Sequence, residues 1–295
     1  MALVTVIMPC YNQGFFLSEA IKSLIQQKFQ DWECIIVNDG STDRTGQEAL
    51  NWCKKDQRIR YLVKENGGLS SSRNAGMRAA TGHFIQFLDA DDIIHPNKFH
   101  SAIEAFKRNE SVELVISDFW ESQDSVHHTY HPWCTLHDKE FSYKSILLDW
   151  EATYTIPIHC AVFRKSLLQD FRFNEDLAGK EDWLMWLYIF KRNTPYVFIN
   201  ERQAVYRHHY SGMTKNPISN FNNVCKAYNY VLLNEDLGEL LQPFSIKINS
   251  FWRNQMVQTM KSRKYRWGTG LVEGFNTLKK ITGFSQLRKQ KKWNL

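Results

Sequence analysis

Short apolar runs at residues 4–8, 34–37, 59–63, 84–88 and 114–117 punctuate the first part of the chain. Each is four or five residues long and largely apolar throughout, as strands covered on both faces are. Between them apolar residues recur at helical spacing, as at Leu17, Ala20, Ile21, Leu24 and Ile25, and again at Phe99, Ile103 and Phe106. Thr42 and Asp43 are placed to cap a helix running to Lys54, and Pro96 suits the first turn of the next one. The alternation predicts an α/β fold: a mostly parallel sheet flanked by helices and joined by right-handed crossovers. Past residue 119 the pattern loosens. Residues 120–158 are rich in histidine and aromatics without a period. Residues 181–192 read as a helix that is apolar on most faces and therefore buried, and the chain from residue 216 onward reads as helical.

Ligands of open α/β sheets sit at the carboxyl ends of strands. Three polar clusters fall at such ends: residues 9–12, 38–43 and 89–92. The last, in "FLDADD", crowds Asp89, Asp91 and Asp92 into four residues. Adjacent carboxylates repel, and a buried one is costly unless it is paired or bound to a metal. On a continuing strand Asp89 and Asp91 point the same way. They could then share a hard divalent ion, since Mg²⁺ is usually held by one or two carboxylates plus phosphate oxygens. A solvated Asp-rich turn capping the next helix is the competing reading. Asp39, at the end of the second run, can accept hydrogen bonds from a sugar hydroxyl or a base. In "KENGGLSSSRNAG" a Gly67–Gly68 turn opens a helix whose amides and positive end suit an anion, with Arg73 in its first turns. Together these features outline a site for a nucleoside diphosphate and a metal.

Composition narrows the class. The 295 residues are 43% hydrophobic and 23% charged, which fits a globular chain of one large or two ordinary domains. The longest fully apolar run, "WLMWLYIF", is far short of the ~20 residues of a membrane-spanning helix. The opening residues lack the basic start of a secretory signal, and the six scattered cysteines have no CxxC spacing. These features lead to the expectation of a soluble, cytoplasmic-side protein with free thiols. The run His127, His128, His131, Cys134 and His137 has spacings that could hold zinc, but reads more simply as a polar loop. Charge is uneven: residues 245–295 hold 12 Lys/Arg and one acid, Glu273, so an acidic body carries a basic tail. Trp252, Trp267, Phe275, Phe284 and Trp293 are interleaved with those basic residues. An anionic membrane surface is the expected partner of such a tail. A plain solvated surface is the alternative, and nucleic acid is not expected.

The motifs "VIMPCYNQGFFLSEAIKSL", "WECIIVNDGSTDRT", "NGGLSSSRNAG" and "FLDADD", in this order and spacing, resemble the family-2 glycosyltransferases. "KEDW" and "YRHHYSGMT" are shorter matches further on. The resemblance implies a GT-A-type fold with a Rossmann-like nucleotide-binding half over residues 1–118. It implies an acceptor-binding and catalytic half over 119–214, leaving a helical, basic C-terminal region over 215–295. It further implies an inverting transfer of a hexosyl or N-acetylhexosaminyl unit from a nucleotide sugar, typically a UDP-sugar, to a glycan or lipid-linked acceptor. Pro9, Tyr11 and Asn12 would line base and ribose, Asp39 would bind the base, and Gly68 and Arg73 would lie near the nucleotide. Asp89 and Asp91 would form the DXD motif, with Asp89 towards the ribose and Asp91 on a Mn²⁺ or Mg²⁺ ion. His209 would complete the metal or diphosphate site, with His208 as the competing choice, and Asp182 would be the general base. A nucleotide-sugar-binding protein without transfer activity and a nucleotidyltransferase on a related fold are the rival readings.

Overall fold

A computed structural model of the chain describes residues 2–261, apart from residues 124, 127, 138 and 210–215. Two compact units emerge, one ending at residue 215 and one beginning at residue 216. In the first unit β1 (Val4–Cys10), α1 (Leu17–Ile25), β2 (Trp32–Asn38), α2 (Thr45–Lys55), β3 (Ile59–Val63), α3 (Gly68–Ala79) and β4 (Phe84–Phe87) follow one another as strand–helix repeats. After them come β5 (Ile93–Ile94), α4 (Lys98–Arg108), β6 (Leu114–Gln123), β7 (Thr129–Tyr130), α5 (Tyr143–Asp149), β8 (Ala161–Arg164), α6 (Glu181–Lys191) and β9 (Tyr196–His208).

One mixed sheet has the order β3-β2-β1-β4-β8-β6-β9-β5, with β7 paired to β6. From β3 to β4 all pairings are parallel, in the registers Val4↔Trp32, Cys34↔Ile59 and Val4↔Phe84. Every residue of β1 and β2 is buried, which is why their sequences show no polar face. Beyond β4 the sheet turns mixed: β8 runs antiparallel between β4 and β6, and β9 lies parallel to β6 with two register shifts near Asp118. Such bulges re-aim the strand that carries them. Helix α6 is buried on most faces, as its sequence pattern implies, and the indole nitrogens of Trp183 and Trp186 donate to the carbonyls of Ile146 and Ile156.

Three local expectations are corrected. Strand β4 ends at Phe87, and Asp89–Asp92 is a turn closed by Asp92 N–H donating to the Asp89 carbonyl at 3.1 Å. Asp89 and Asp91 therefore do not share a strand face. Helix α2 starts at Thr45, and Asp43 supports its first turn by accepting from Thr45 N–H at 2.9 Å, while Thr42 turns to Asn12. Pro96 lies just before α4, whose cap position is Asn97, and its carbonyl accepts from Lys28 N–H.

The second unit contains α7 (Pro217–Asn234) and α8 (Leu241–Lys261). Asn216 caps α7 by accepting from the amides of Ile218 and Ser219 at 3.1 Å, with Pro217 at the first helical position. Phe221 stacks on Phe251 and Tyr228 meets Phe244 edge-on, so the two helices share an aromatic seam. Among the described residues no helix is long and apolar enough to cross a membrane. The basic stretch from Lys279 to Leu295 lies outside the described residues.

Glu33 tests how this sheet tolerates a charge. It sits opposite Thr5 in the β1–β2 register and accepts from Thr5, from the amide and hydroxyl of Thr81, and from Arg60. Burial opposes its charge, yet these donors outweigh burial and hold its carboxyl down at about 2. Glu33→Gln should cost about 1–3 kcal/mol in denaturant unfolding at pH 7. A depressed carboxylate stabilises above its unfolded pKa, and that stability is lost as pH falls towards the folded value. The gap between variant and wild type should therefore narrow as pH drops from about 4.5 towards 2. A constant gap would show that charge is not what Glu33 contributes.

Candidate functional site

The site forms where β1, β2 and β4 end together. Pro9 is buried near the end of β1, and Tyr11, just beyond that strand, is 51% exposed at the rim. Asn12 has φ 53°, a left-handed conformation that asparagine tolerates better than most residues. Its side-chain oxygen accepts from Thr42 N–H at 2.8 Å, and its own N–H donates to Ser41 at 3.0 Å. Asn12 thus fastens the loop after β1 to the loop after β2.

Asp39 is buried where β2 ends. Lys64 Nζ donates to it at 2.6 Å, and the amides of Gly67 and Gly68 donate at 3.0 and 2.7 Å. Burial works against its charge, but these donors hold its carboxyl below the usual range. The N-terminal amides of α3, which the sequence offers to an external anion, are thereby engaged by a carboxylate of the chain itself. Gly68 has φ +87°, and a side chain there would meet nothing within 4 Å. Backbone conformation, and not space, is therefore what calls for glycine at this position.

The three carboxylates after β4 go to three partners. Asp89 takes both its oxygens to Arg73 Nη2, at 2.9 and 3.1 Å. Arg73 is 2% exposed, so it lies behind the rim, and its Nη1 donates to Glu181 at 2.6 Å. Asp91 Oδ2 stands 2.8 Å from His209 Nε2. Asp92 is fully buried, accepts from Arg207 N–H at 2.8 Å and lies 3.0 Å from His159 Nδ1. Burial pushes the Asp92 carboxyl up to about 6 against the pull of His159. The cost of crowding is thus offset within the protein, carboxylate by carboxylate.

The two adjacent histidines diverge. His208, the last residue of β9, faces Glu121 at 3.4 Å, whereas His209 turns to Asp91. Phe16 backs this arrangement, its ring 4.6 Å from that of His209 and 4.8 Å from the Arg207 guanidinium. Asp182 lies half-buried in the first turn of α6, accepting from Trp183 N–H at 2.8 Å. Burial and then the neighbouring Glu181 push its carboxyl up to about 7, with Lys180 and Arg73 pulling the other way. Lys180 precedes it with φ 67° and is ion-paired to Glu151, itself at φ 60°. Left-handed backbone at two bulky positions is strain that surrounding structure must hold, and it borders the base candidate.

Glu181, His159, Tyr206 and Arg207 were not singled out by sequence reasoning. Tyr206 is half-buried, and its hydroxyl is raised by burial and then by the charges of Asp92, Asp91, Asp89 and Asp182. Its ring lies parallel to that of His159, 6.0 Å away. The only signal for Tyr206 and Arg207 was their membership of "YRHHYSGMT", and for Glu181 its place beside Asp182. His159 had none.

A divalent cation fits what is present. Among the described residues no three His, Cys, Asp or Glu side chains gather as a closed metal cage. Asp91 and His209 do offer one oxygen and one nitrogen 2.8 Å apart. Neighbouring ligands of an octahedral ion with bonds of roughly 2.1 Å stand about 3 Å apart, and such ions commonly take their remaining ligands from water and phosphate. The histidine run of the middle region is spread out: His131 packs on Trp120, Cys134 reaches towards the Thr155 carbonyl and His137 lies 3.8 Å from Asp118. His127 is outside the described residues.

Comparison with known proteins bears on ancestry and fold. The model of "Glycosyl transferase family 2" matches residues 5–172. EpsJ of Bacillus subtilis (strain 168), an uncharacterized glycosyltransferase, is 32% identical over 227 residues, spanning 73% of this chain and 64% of that one. The GalNAc(5)-diNAcBac-PP-undecaprenol beta-1,3-glucosyltransferase of Campylobacter jejuni is 32% identical over 200 residues, 67% of this chain and 62% of that one. The chain thus spans less than two thirds of the length of either relative. Among solved structures, S. aureus TarS 1-349 in complex with UDP-GlcNAc has a TM-score of 0.72 at 20% identity, covering 95% of this chain and 81% of that one. That likeness is one of fold, a central sheet flanked by helices in the GT-A manner. Since the family model alone covers more than half of its residues, the chain belongs to glycosyl transferase family 2.

Proposed function

We propose that the protein transfers a sugar from a nucleoside-diphosphate sugar, a UDP-sugar in the first instance, to a hydroxyl of a glycan or lipid-linked acceptor with inversion at the anomeric carbon. The observation that carries this reading is Asp182, a carboxyl pushed up to about 7 in the first turn of α6 and joined through Glu181 and Arg73 to Asp89. The TarS complex with UDP-GlcNAc supports a uridine donor. The undecaprenol-linked glycan in the name of the Campylobacter relative supports an acceptor of cell-surface polysaccharide synthesis.

In this reading Pro9, Tyr11 and Asn12 border the base and ribose, and Asp39 holds the base through whichever acceptor capacity Lys64 and the glycine amides leave it. Gly68 turns the chain into α3 beside the nucleotide, Arg73 fixes Asp89, and Asp89 meets the ribose. Asp91 and His209 would hold Mn²⁺ or Mg²⁺, which supplies Lewis acidity to the diphosphate leaving group when bound. Asp182 takes the proton of the acceptor hydroxyl, and a positioned base of this kind contributes typically ~10²–10⁴-fold. One base acting on one acceptor, opposite one leaving group, gives a single displacement, so no second catalytic carboxylate is needed. The halves proposed for this work are residues 1–118 for the donor and 119–214 for acceptor and base.

A donor screen reading release of nucleoside diphosphate is the first experiment. Release of pyrophosphate instead would identify a nucleotidyltransferase, and binding without turnover would identify a carrier. Asp91→Asn should abolish Mn²⁺- or Mg²⁺-dependent turnover while circular dichroism stays native. Full activity of this variant, or undiminished wild-type activity in EDTA, rules the cation assignment out.

Asp182→Asn should keep UDP affinity within about twofold and lose transfer, because the carboxylate acts on the proton only as the bond forms. A base must be ionised, so wild-type kcat/KM should fall as pH drops below about 7. Collapse of UDP affinity with near-normal turnover would make Asp182 a binding residue.

For the tail we propose peripheral attachment to an anionic membrane face. The support is sequence alone: six of the 12 basic residues beyond Ser245 lie between Lys279 and Leu295. Deleting residues 279–295 should reduce sedimentation with anionic vesicles, steeply so at low salt, and leave turnover on a soluble acceptor analogue intact. Equal sedimentation of full-length protein with anionic and neutral vesicles would count against it.

A further inference from the structure

The family resemblance puts Arg73 near the nucleotide, and both its terminal nitrogens are committed to carboxylates of the chain. Nη2 grips Asp89, after β4, and Nη1 grips Glu181, the first residue of α6. A planar guanidinium fixes direction as well as distance, which an ammonium does not. One buried side chain of α3 therefore sets the turn that carries the DXD carboxylates against the helix that carries Asp182.

The charges around Asp182 are Glu181 and Lys180 on its own segment and Arg73 from α3, with the Tyr206 ring of β9 also facing the cluster. Lys180 is shared with Glu151, and Arg73 is shared between Asp89 and Glu181. Among the described residues no cation pairs with Asp182 at hydrogen-bond distance, and the charge that acts on it most strongly is that of the adjacent carboxylate, Glu181. Glu181 is itself buried, 6% exposed, so solvent screens that charge poorly. A carboxylate beside a fixed like charge binds a proton more tightly and is the stronger base once ionised.

We propose that Glu181, held by Arg73, is a positioning residue of the transfer reaction: it locks the first turn of α6 to the donor turn, and its charge sets the basicity of Asp182. This rests on Asp182 being the base, and it adds a role for a residue whose only other function would be to close a buried ion pair.

The test uses the full chain labelled with ¹³C at aspartate carboxyls, with the Asp182 resonance assigned by its absence in Asp182→Asn. Glu181→Gln, nearly isosteric, should lower the Asp182 titration midpoint by about one pH unit. Glu181→Asp, which keeps the charge, should leave the midpoint close to wild type. With a UDP-sugar that supports turnover, the acid limb of kcat/KM should move with the midpoint in each variant. A midpoint unmoved by Glu181→Gln overturns the proposal. So does a moved midpoint that the acid limb does not follow while Asp182→Asn is inactive, since the charge of Glu181 then does not reach the reaction. Retained turnover in Asp182→Asn sinks the base assignment instead, and the titration distinguishes that failure from this one. Comparison of far-ultraviolet circular dichroism and melting between the Gln and Asp variants separates a folding defect from lost charge.

Discussion

Carboxylates crowded at the carboxyl edge of a sheet are tolerable only if each is given its own partner, and that constraint organises this molecule. Asp89 draws in Arg73 from α3 and, through it, Glu181 from α6. Asp91 draws in His209 from beyond β9, and Asp92 draws in His159 and the Arg207 amide. Four segments distant in sequence are thereby tied to one four-residue turn. An unpaired buried charge would cost more than most core contacts contribute, so these ties fix where the segments can lie.

The same economy governs Asp39. A helix N-terminus attracts an anion, and in this chain the attracted anion is supplied from the neighbouring strand end. The consequence is a rigid floor: β2, the Lys64 loop and α3 meet at one carboxylate, while Asn12 fastens the loop after β1 to the same region. Left-handed residues concentrate nearby, at Asn12, Gly40 and Gly68 around the ends of β1 and β2 and at Glu151 and Lys180 next to α6. Rigid strands end in loops whose conformations are held by specific bonds, which is how a sheet edge becomes a site.

The mixed half of the sheet makes the site asymmetric. Strand β8 reverses direction between β4 and β6, so β9 returns parallel to β6 and delivers Tyr206, Arg207 and His209 to the turn after β4. Helix α6 delivers Asp182 and Glu181 from another direction. Because one guanidinium bridges the turn after β4 and that helix, a shift in either is felt by the other.

Much of this was legible in the amino-acid order. Buried parallel strands are apolar throughout, so β1 to β4 and the start of β6 stand out without a structure, and the polar clusters that end them follow from the rule that ligands meet strand ends. Asp39, Asp89, Asp91, Asp182 and His209 could be named because they lie in short motifs of fixed spacing. What sequence could not determine is who pairs with whom. Strand periodicity put Asp89 and Asp91 on one face, but the strand stops at Phe87 and a turn sends them to different partners. The glycine amides looked open to a ligand, and Asp39 occupies them. Arg73 was expected near the nucleotide, and sequence carried no sign that it also bridges to a residue more than a hundred positions away. Sequence records local preference, which hydrophobic period and turn chemistry express. Charge compensation inside a fold is a long-range matter decided by geometry, so only the tertiary structure could assign a partner to each buried charge.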